Sequence, residues 1–144
     1  AYHAHSRLPV IADDSGLEVD LLQGRPGVES AYYGGLDLNW PQRWACLHAE
    51  LSAFPHSEWT ARFRCVICYF DGIMPPQYFE AVAPGLILPE PRGSKGFGYD
   101  PILFSNELGM SFAEASAEAK NQVSHRAKAL KLLRDWLDRR PSRG

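Results

Sequence analysis

The sequence predicts an α/β domain built on a mixed, twisted sheet flanked by helices. Three observations carry this. Ala61 to Phe70 is a β-rich run. It is followed, across Asp71-Gly72 and Pro75-Pro76, by a second run at Tyr78 to Val82, the pattern of hairpin strands. Val123, Ala127, Leu130, Leu133 and Leu137 recur at three- and four-residue steps, the apolar stripe of a helix. Other short apolar runs are separated by Gly- and Pro-rich stretches, which leaves room for crossover as well as hairpin connections.

In chain order, Leu8 to Ala12 reads as a strand feeding a turn at Asp13-Asp14-Ser15-Gly16. Leu17 to Leu22 alternates and reads as a second extended segment. Gln23 to Gly35 is a Gly-rich loop. Pro41 opens a helix that places Trp44, Leu47 and Leu51 on one face and runs to Phe54, where Pro55 stops it. After the hairpin, Leu86 to Leu88 is a short strand, Pro89 to Asp100 a Gly-rich loop and Ile102 to Phe104 another short strand. Ser116 caps the last, long helix, with Glu118 in its first turn. Leu132 and Trp136 widen its stripe, and Arg139, Arg140 and Pro141 end it.

The 144 residues suit a single domain spanning 1–144, with 45% hydrophobic and 22% charged residues. A chain of this size buries about two-thirds of its unfolded surface. The net charge of −2 argues against a nucleic-acid partner recognised by a basic surface. No apolar run approaches the ~18–20 residues of a membrane span, so no membrane partner is expected, and no signal peptide is visible. Cys46, Cys65 and Cys68 are an odd number, which favours a reducing cytoplasm over a disulfide framework. Cys65 and Cys68 form a CxxC, but residues three apart on a strand face opposite ways. Buried small hydrophobes therefore describe them better than a redox or zinc pair.

Three clusters could carry chemistry. Asp13 and Asp14 repel unless a cation or turn hydrogen bonds compensate, and a magnesium ion bound to phosphates asks for one or two carboxylates. The same residues also fit an Asx turn. Arg92-Gly93-Ser94-Lys95-Gly96-Phe97-Gly98-Tyr99-Asp100 combines glycines for close backbone approach with two aromatic faces and a carboxylate, as a heterocycle pocket needs. An ordinary long turn is the plain alternative. Lys120, Ser124, His125 and Arg126 bring donors within two turns, to read a base edge or hold phosphate, or else form a solvated helix face. His3 and His5 lack a third metal ligand.

Taken together, the segments resemble the inosine triphosphate pyrophosphatase family. Leu8-Pro9-Val10-Ile11-Ala12-Asp13-Asp14-Ser15-Gly16-Leu17-Glu18-Val19-Asp20 looks like its signature strand, and Pro26-Gly27-Val28-Glu29-Ser30-Ala31 like the next segment. Gly96-Phe97-Gly98-Tyr99-Asp100-Pro101 resembles its base-pocket loop. Lys120-Asn121 with Ser124-His125-Arg126 resembles its C-terminal signature. The resemblance implies a fold with a nucleotide cleft. It implies magnesium-dependent hydrolysis of non-canonical purine nucleoside triphosphates (ITP, XTP, dITP) to the monophosphate and pyrophosphate. By position, Asp14 would be the catalytic, metal-linked carboxylate and Asp13 a second metal residue. Ser15, Phe97, Gly98, Tyr99, Asp100, Lys120, Ser124, His125 and Arg126 would contact substrate. The family habit also implies a homodimer.

The sequence departs from the family pattern at Tyr32 (Arg expected), Arg43 (Asn expected) and His48 (Leu expected). The family's opening strand with its Thr/Ser-Gly-Asn loop, and the helix carrying a metal-binding Glu, find no match in these residues. Ala1 to Arg7 resembles only the tail of that helix. On this reading the fold lacks the family's first strand and helix, and turnover is weakened by about 10³-fold or more. The alternative is a purine-nucleotide-binding or dimeric interaction module derived from the family.

Overall fold

A computed structural model describes residues 9–140. The strands are β1 (Val10–Val19), β2 (Pro26–Gly27), β3 (Thr60–Phe70), β4 (Gln77–Ile87), β5 (Leu103–Ser105) and β6 (Met110–Ser111). The helices are α1 (Trp40–Leu51), α2 (Ala117–Val123) and α3 (His125–Arg139). The strands form one sheet in the order β2-β1-β3-β4-β5-β6. The expectations on His3, His5, the Ala1–Arg7 segment and Pro141 lie outside the described residues.

The α/β class holds, but every strand pairing among the described residues is antiparallel, where a mixed sheet was expected. β3 and β4 form the anticipated hairpin, pairing from Thr60↔Leu86 to Tyr69↔Gln77. Its bend is set by Asp71, whose Oδ1 accepts from the Ile73 and Met74 amides.

Four boundaries differ from the sequence reading. The turn expected at Asp13 to Gly16 is instead the middle of β1, held in unbroken register with β3 (Asp13↔Ile67, Asp14↔Val66, Ser15↔Cys65). Ten residues of ladder override the local turn preference of Asp, Ser and Gly. Gly16 has its own role there: an added Cβ would overlap the Gly27 carbonyl of β2. Leu86 to Leu88 is not a separate strand, because β4 runs through Pro84 and Gly85 to Ile87. The final helix is two helices. Ser124 is extended (φ −63°, ψ 148°) and ends α2, while its Oγ accepts the Ala127 amide to start α3. α1 also ends at Leu51, short of Phe54.

Both hydrophobic cores gather on one face of the sheet. Odd-numbered residues of β3 alternate inward: Ala61, Phe63, Cys65, Ile67 and Tyr69 are buried. Ala61 and Phe63 pack with Leu17, Val19, Leu47, Leu51 and Phe112. Cys65, Ile67 and Tyr69 pack with Ala129 and Leu133 of α3. The α3 stripe is therefore turned from the one expected, with Leu130 and Leu132 nearly half exposed. Cys65 is buried, Cys68 is only partly so, and both are free, as alternation required. Even-numbered positions on the other face carry an ion-pair ladder linking Glu18, Asp20, Arg62, Arg64 and Glu80.

Candidate functional site

A cavity of about 460 Å³ opens at the edge of the core built on Leu17, Phe63 and Tyr99, within the usual range for small-ligand sites. Its floor is Ser15, Gly16 and Leu17 of β1 with Phe63 of β3. Its walls are the 97–100 loop, Trp40 at the start of α1, and the α2–α3 joint from Lys120 to Arg126. The break at Ser124 matters here, because it ends one helix and starts another at the cavity and so brings Lys120 and His125 to the same rim.

The 97–100 loop is held by Asp100, which is 4% exposed. Its Oδ2 accepts from the Phe97 amide at 3.0 Å and from Lys120 Nζ at 2.6 Å. Gly96 has φ +77°, and an added Cβ would overlap that same carboxylate. One oxygen of Asp100 is thus occupied internally, organising the loop and neutralising Lys120. The Lys120 ammonium lies 4.9 Å from the centroid of the Phe97 ring, and Phe97 is 74% exposed. Tyr99 is buried, and its hydroxyl donates to the Ser30 carbonyl at 2.7 Å. Burial pushes its phenol pKa well up, so it stays protonated. Gly98 offers its carbonyl to Trp44 Nε1 at 3.0 Å.

His125 packs its ring 5.0 Å from Phe63. Burial, reinforced by the neighbouring Arg126 charge, lowers its pKa to about 4, so it is neutral near pH 7. Two buried polar atoms at the cavity, His125 Nδ1 and Ser15 Oγ, have no hydrogen-bond partner in the structure. Leaving buried polar groups unpaired is costly, and a ligand that pairs them recovers that cost. Ser124 spends an oxygen lone pair on its cap and keeps its O–H to donate.

The two adjacent carboxylates separate. Asp13 lies on the helix-covered side, where its Oδ2 meets Arg126 Nε at 3.1 Å. Asp14 alternates to the other side, outside the cavity lining, and its exposed carboxylate makes no hydrogen bond or ion pair among the described residues. No three carboxylate, imidazole or thiolate groups converge as a metal cage among the described residues. The donor set instead fits a magnesium ion that keeps waters and phosphate oxygens and takes one protein carboxylate. Asp14 is free for that role, whereas Asp13 is engaged by Arg126.

The structure therefore brings Ser15, Phe97, Gly98, Tyr99, Asp100, Lys120, Ser124, His125 and Arg126 together around one cavity and leaves both Asp13 and Asp14 outside its lining. Sequence reasoning missed Ser30, Trp40 and Phe63 as lining residues. For Trp40 a signal existed. Asn39 and Gln42 form a capping box with Pro41 behind it, which fixes Trp40 as the first residue of α1. Ser30 carried none, since its role is to accept the Leu17 amide at 2.8 Å across 13 residues.

A cavity walled by aromatic side chains, lined also by Ser15 and His125 with their unpartnered buried atoms and set against a sheet, defines an α/β protein with a candidate small-ligand site. The particular family follows from comparison. The Ham1 family model matches residues 1–136, and the chain belongs to the Ham1 family. It is 50% identical over 129 residues to the dITP/XTP pyrophosphatase of Geobacillus kaustophilus, covering 89% of this chain and 63% of that protein. It is 48% identical over 130 residues to the Geobacter sulfurreducens dITP/XTP pyrophosphatase, covering 90% and 65% respectively. The chain thus spans less than two-thirds of the length of these curated relatives. Among solved structures, the Staphylococcus aureus Ham1 protein superposes with a TM-score of 0.87 at 37% identity, covering 94% of this chain and 69% of that one. No helix of the described residues is long and apolar enough to cross a membrane.

Proposed function

We propose that the cavity binds the base of a keto-purine nucleotide, and that the chain takes part in hydrolysing ITP, XTP or dITP to the monophosphate and pyrophosphate. The observation that carries this reading is the pair of buried, unpartnered atoms, Ser15 Oγ and His125 Nδ1, between aromatic walls. A 6-keto oxygen accepts hydrogen bonds where the 6-amino group of adenine donates them. A rim of Ser15, Ser124, Lys120 and Arg126 donors therefore favours hypoxanthine and xanthine over adenine. The names of the relatives agree with this chemistry.

In the reaction, water adds at the α-phosphorus and pyrophosphate leaves. Phe97, Gly98 and Tyr99 form the base wall, and Asp100 fixes Lys120 and the loop. Asp14 is the carboxylate we assign to the metal and the attacking water; magnesium supplies charge neutralisation on the phosphates when bound. Asp13 is the second carboxylate at that strand, held by Arg126. We also propose one domain over 1–144, a cytoplasmic location on the strength of three free cysteines, and a homodimer. The exposed apolar side chains at and near the hairpin tip, Ile73, Met74 and Tyr78, support the dimer. A sedimentation profile that stays monomeric across concentration would remove the dimer proposal.

The deciding assay is pyrophosphate release from ITP, XTP and ATP with magnesium, for this chain and for Asp14→Asn. Turnover of ITP and XTP above ATP, abolished by the substitution, is the expected result. Equal turnover of ATP, or turnover indifferent to Asp14→Asn, would overturn the assignment.

A further inference from the structure

The cavity has an aromatic wall that the family motifs do not contain. Trp40 lines it from α1, opposite in sequence origin to the Phe97–Tyr99 loop. Its position is unusually determined. The capping box of Asn39 and Gln42 sets the start of α1. The Tyr99 ring meets Trp40 edge-on at 5.0 Å and 73°. Gly98 lies close enough that an added Cβ would sit 3.7 Å from the indole's six-membered ring. Arg43 is one turn further along α1, with its guanidinium carbon 4.9 Å from the Trp40 centroid.

Arg43 is the residue that stood out as a departure, and the structure gives it a purpose. It is 3% exposed, and its guanidinium donates to the carbonyls of Tyr33 (3.0 Å), Leu38 (3.0 Å) and Gly35 (2.8 Å). A guanidinium fixed by three carbonyls does not rotate away, so it is a rigid support for the indole. Trp40 itself remains only partly buried. Phe97, by contrast, is largely exposed, with the Lys120 ammonium against its ring. The cavity therefore has one fixed aromatic wall and one open one.

We propose that Trp40 is a specificity-determining residue that stacks on the planar base of the bound nucleotide, with Arg43 as the positioning residue that holds it. The proposal rests on the reading of the cavity as a base site. A large flat indole rewards a two-ring purine more than a one-ring pyrimidine, and it does so without touching the phosphates.

Calorimetric titration of IMP, UMP and inorganic pyrophosphate into the whole chain tests this. Trp40→Ala is expected to weaken IMP binding by about 10- to 100-fold, as loss of one base-stacking ring does, and to leave pyrophosphate binding unchanged. Trp40→Phe should retain most of the affinity, and IMP should lose more than UMP in Trp40→Ala. A second measurement is independent of whether the alanine variant folds. In chain labelled with 5-fluorotryptophan, the fluorine signal that disappears in Trp40→Phe should shift on adding IMP and stay still on adding pyrophosphate. If the unsubstituted chain binds IMP but that signal does not move, or Trp40→Ala binds IMP as well as the parent, the stacking role is overturned and the base site stands. If the unsubstituted chain binds no purine nucleotide, the base site itself fails and the stacking role falls with it.

Discussion

Asp13 and Asp14 are neighbours of identical charge on β1, yet they sit in opposite environments. Asp13 faces the helix-covered side and is tied to Arg126; Asp14 faces the other side and is unpaired among the described residues. The same division runs through β3. Ile67 is 1% exposed beneath α3, whereas Arg64 takes part in an open ladder with Glu18 and Glu80. One face holds the core and the cavity, and the other holds solvated charge. The difference teaches that the sheet separates two environments: burial and the cavity on one side, solvated charge on the other.

The comparison breaks most visibly through stability. Ile67→Ala on the covered face should cost about 2–5 kcal/mol in urea unfolding. Arg64→Ala, three residues away on the open face, should cost no more than about 1 kcal/mol, as exposed ion pairs do. Similar losses for the two would erase the distinction between the faces.

His125 provides a pH test confined to the covered face. Its folded pKa, about 4, lies below its unfolded value near 6.5, so the unfolded chain binds the extra proton first. The stability it contributes is complete above pH 6.5 and declines as pH falls from there towards 4. Across that window the loss reaches roughly 3 kcal/mol, at about 1.4 kcal/mol per unit. His125→Gln should flatten that part of the stability profile and leave the slope above pH 7 unchanged.

Asp100→Asn comes next, at about 1–3 kcal/mol, because it weakens the bond from Lys120 and the cap on the Phe97 amide together. Its mark should be a loosened 97–100 loop, seen as faster amide exchange at Phe97. Asp14→Asn is the smallest in stability, within about 0.5 kcal/mol, because it touches an exposed group with no partner. Under the proposed function it should still abolish pyrophosphate release from ITP assayed with magnesium. A variant that loses activity only by unfolding would contradict the division of labour.

Much of this was legible in the sequence, and the failures share a cause. The β3–β4 hairpin was visible because Ala61 to Phe70 is strongly β-forming and Asp71-Gly72 punctuates it. Part of the cavity lining lies in segments that local motifs singled out: the structure gathers Ser15, the 97–100 loop and the 120–126 segment around it. What was hidden is non-local. Asp13 to Gly16 has turn composition but strand structure, because its partner lies some fifty residues away in β3. The break at Ser124 contains neither Gly nor Pro; the serine reads equally well as a helix interior residue or a cap, and packing against the sheet decides. Which of Asp13 and Asp14 meets Arg126 depends on pairing phase, which no local window reports.

That phase has a consequence for how this chain tolerates change. Side chains on a strand alternate with a period of two, so inserting a single residue between Asp14 and Ser15, with the ladder from Ser15 onward held, would exchange the sides of the acidic residues while leaving composition and charge almost untouched. The carboxylate now free would be drawn to Arg126, and the one now tied would be released to the far side. In β1, counting matters as much as identity: substitutions can be graded by size and charge, but a frame-preserving gain of one codon at that point would exchange the two carboxylates in a single step.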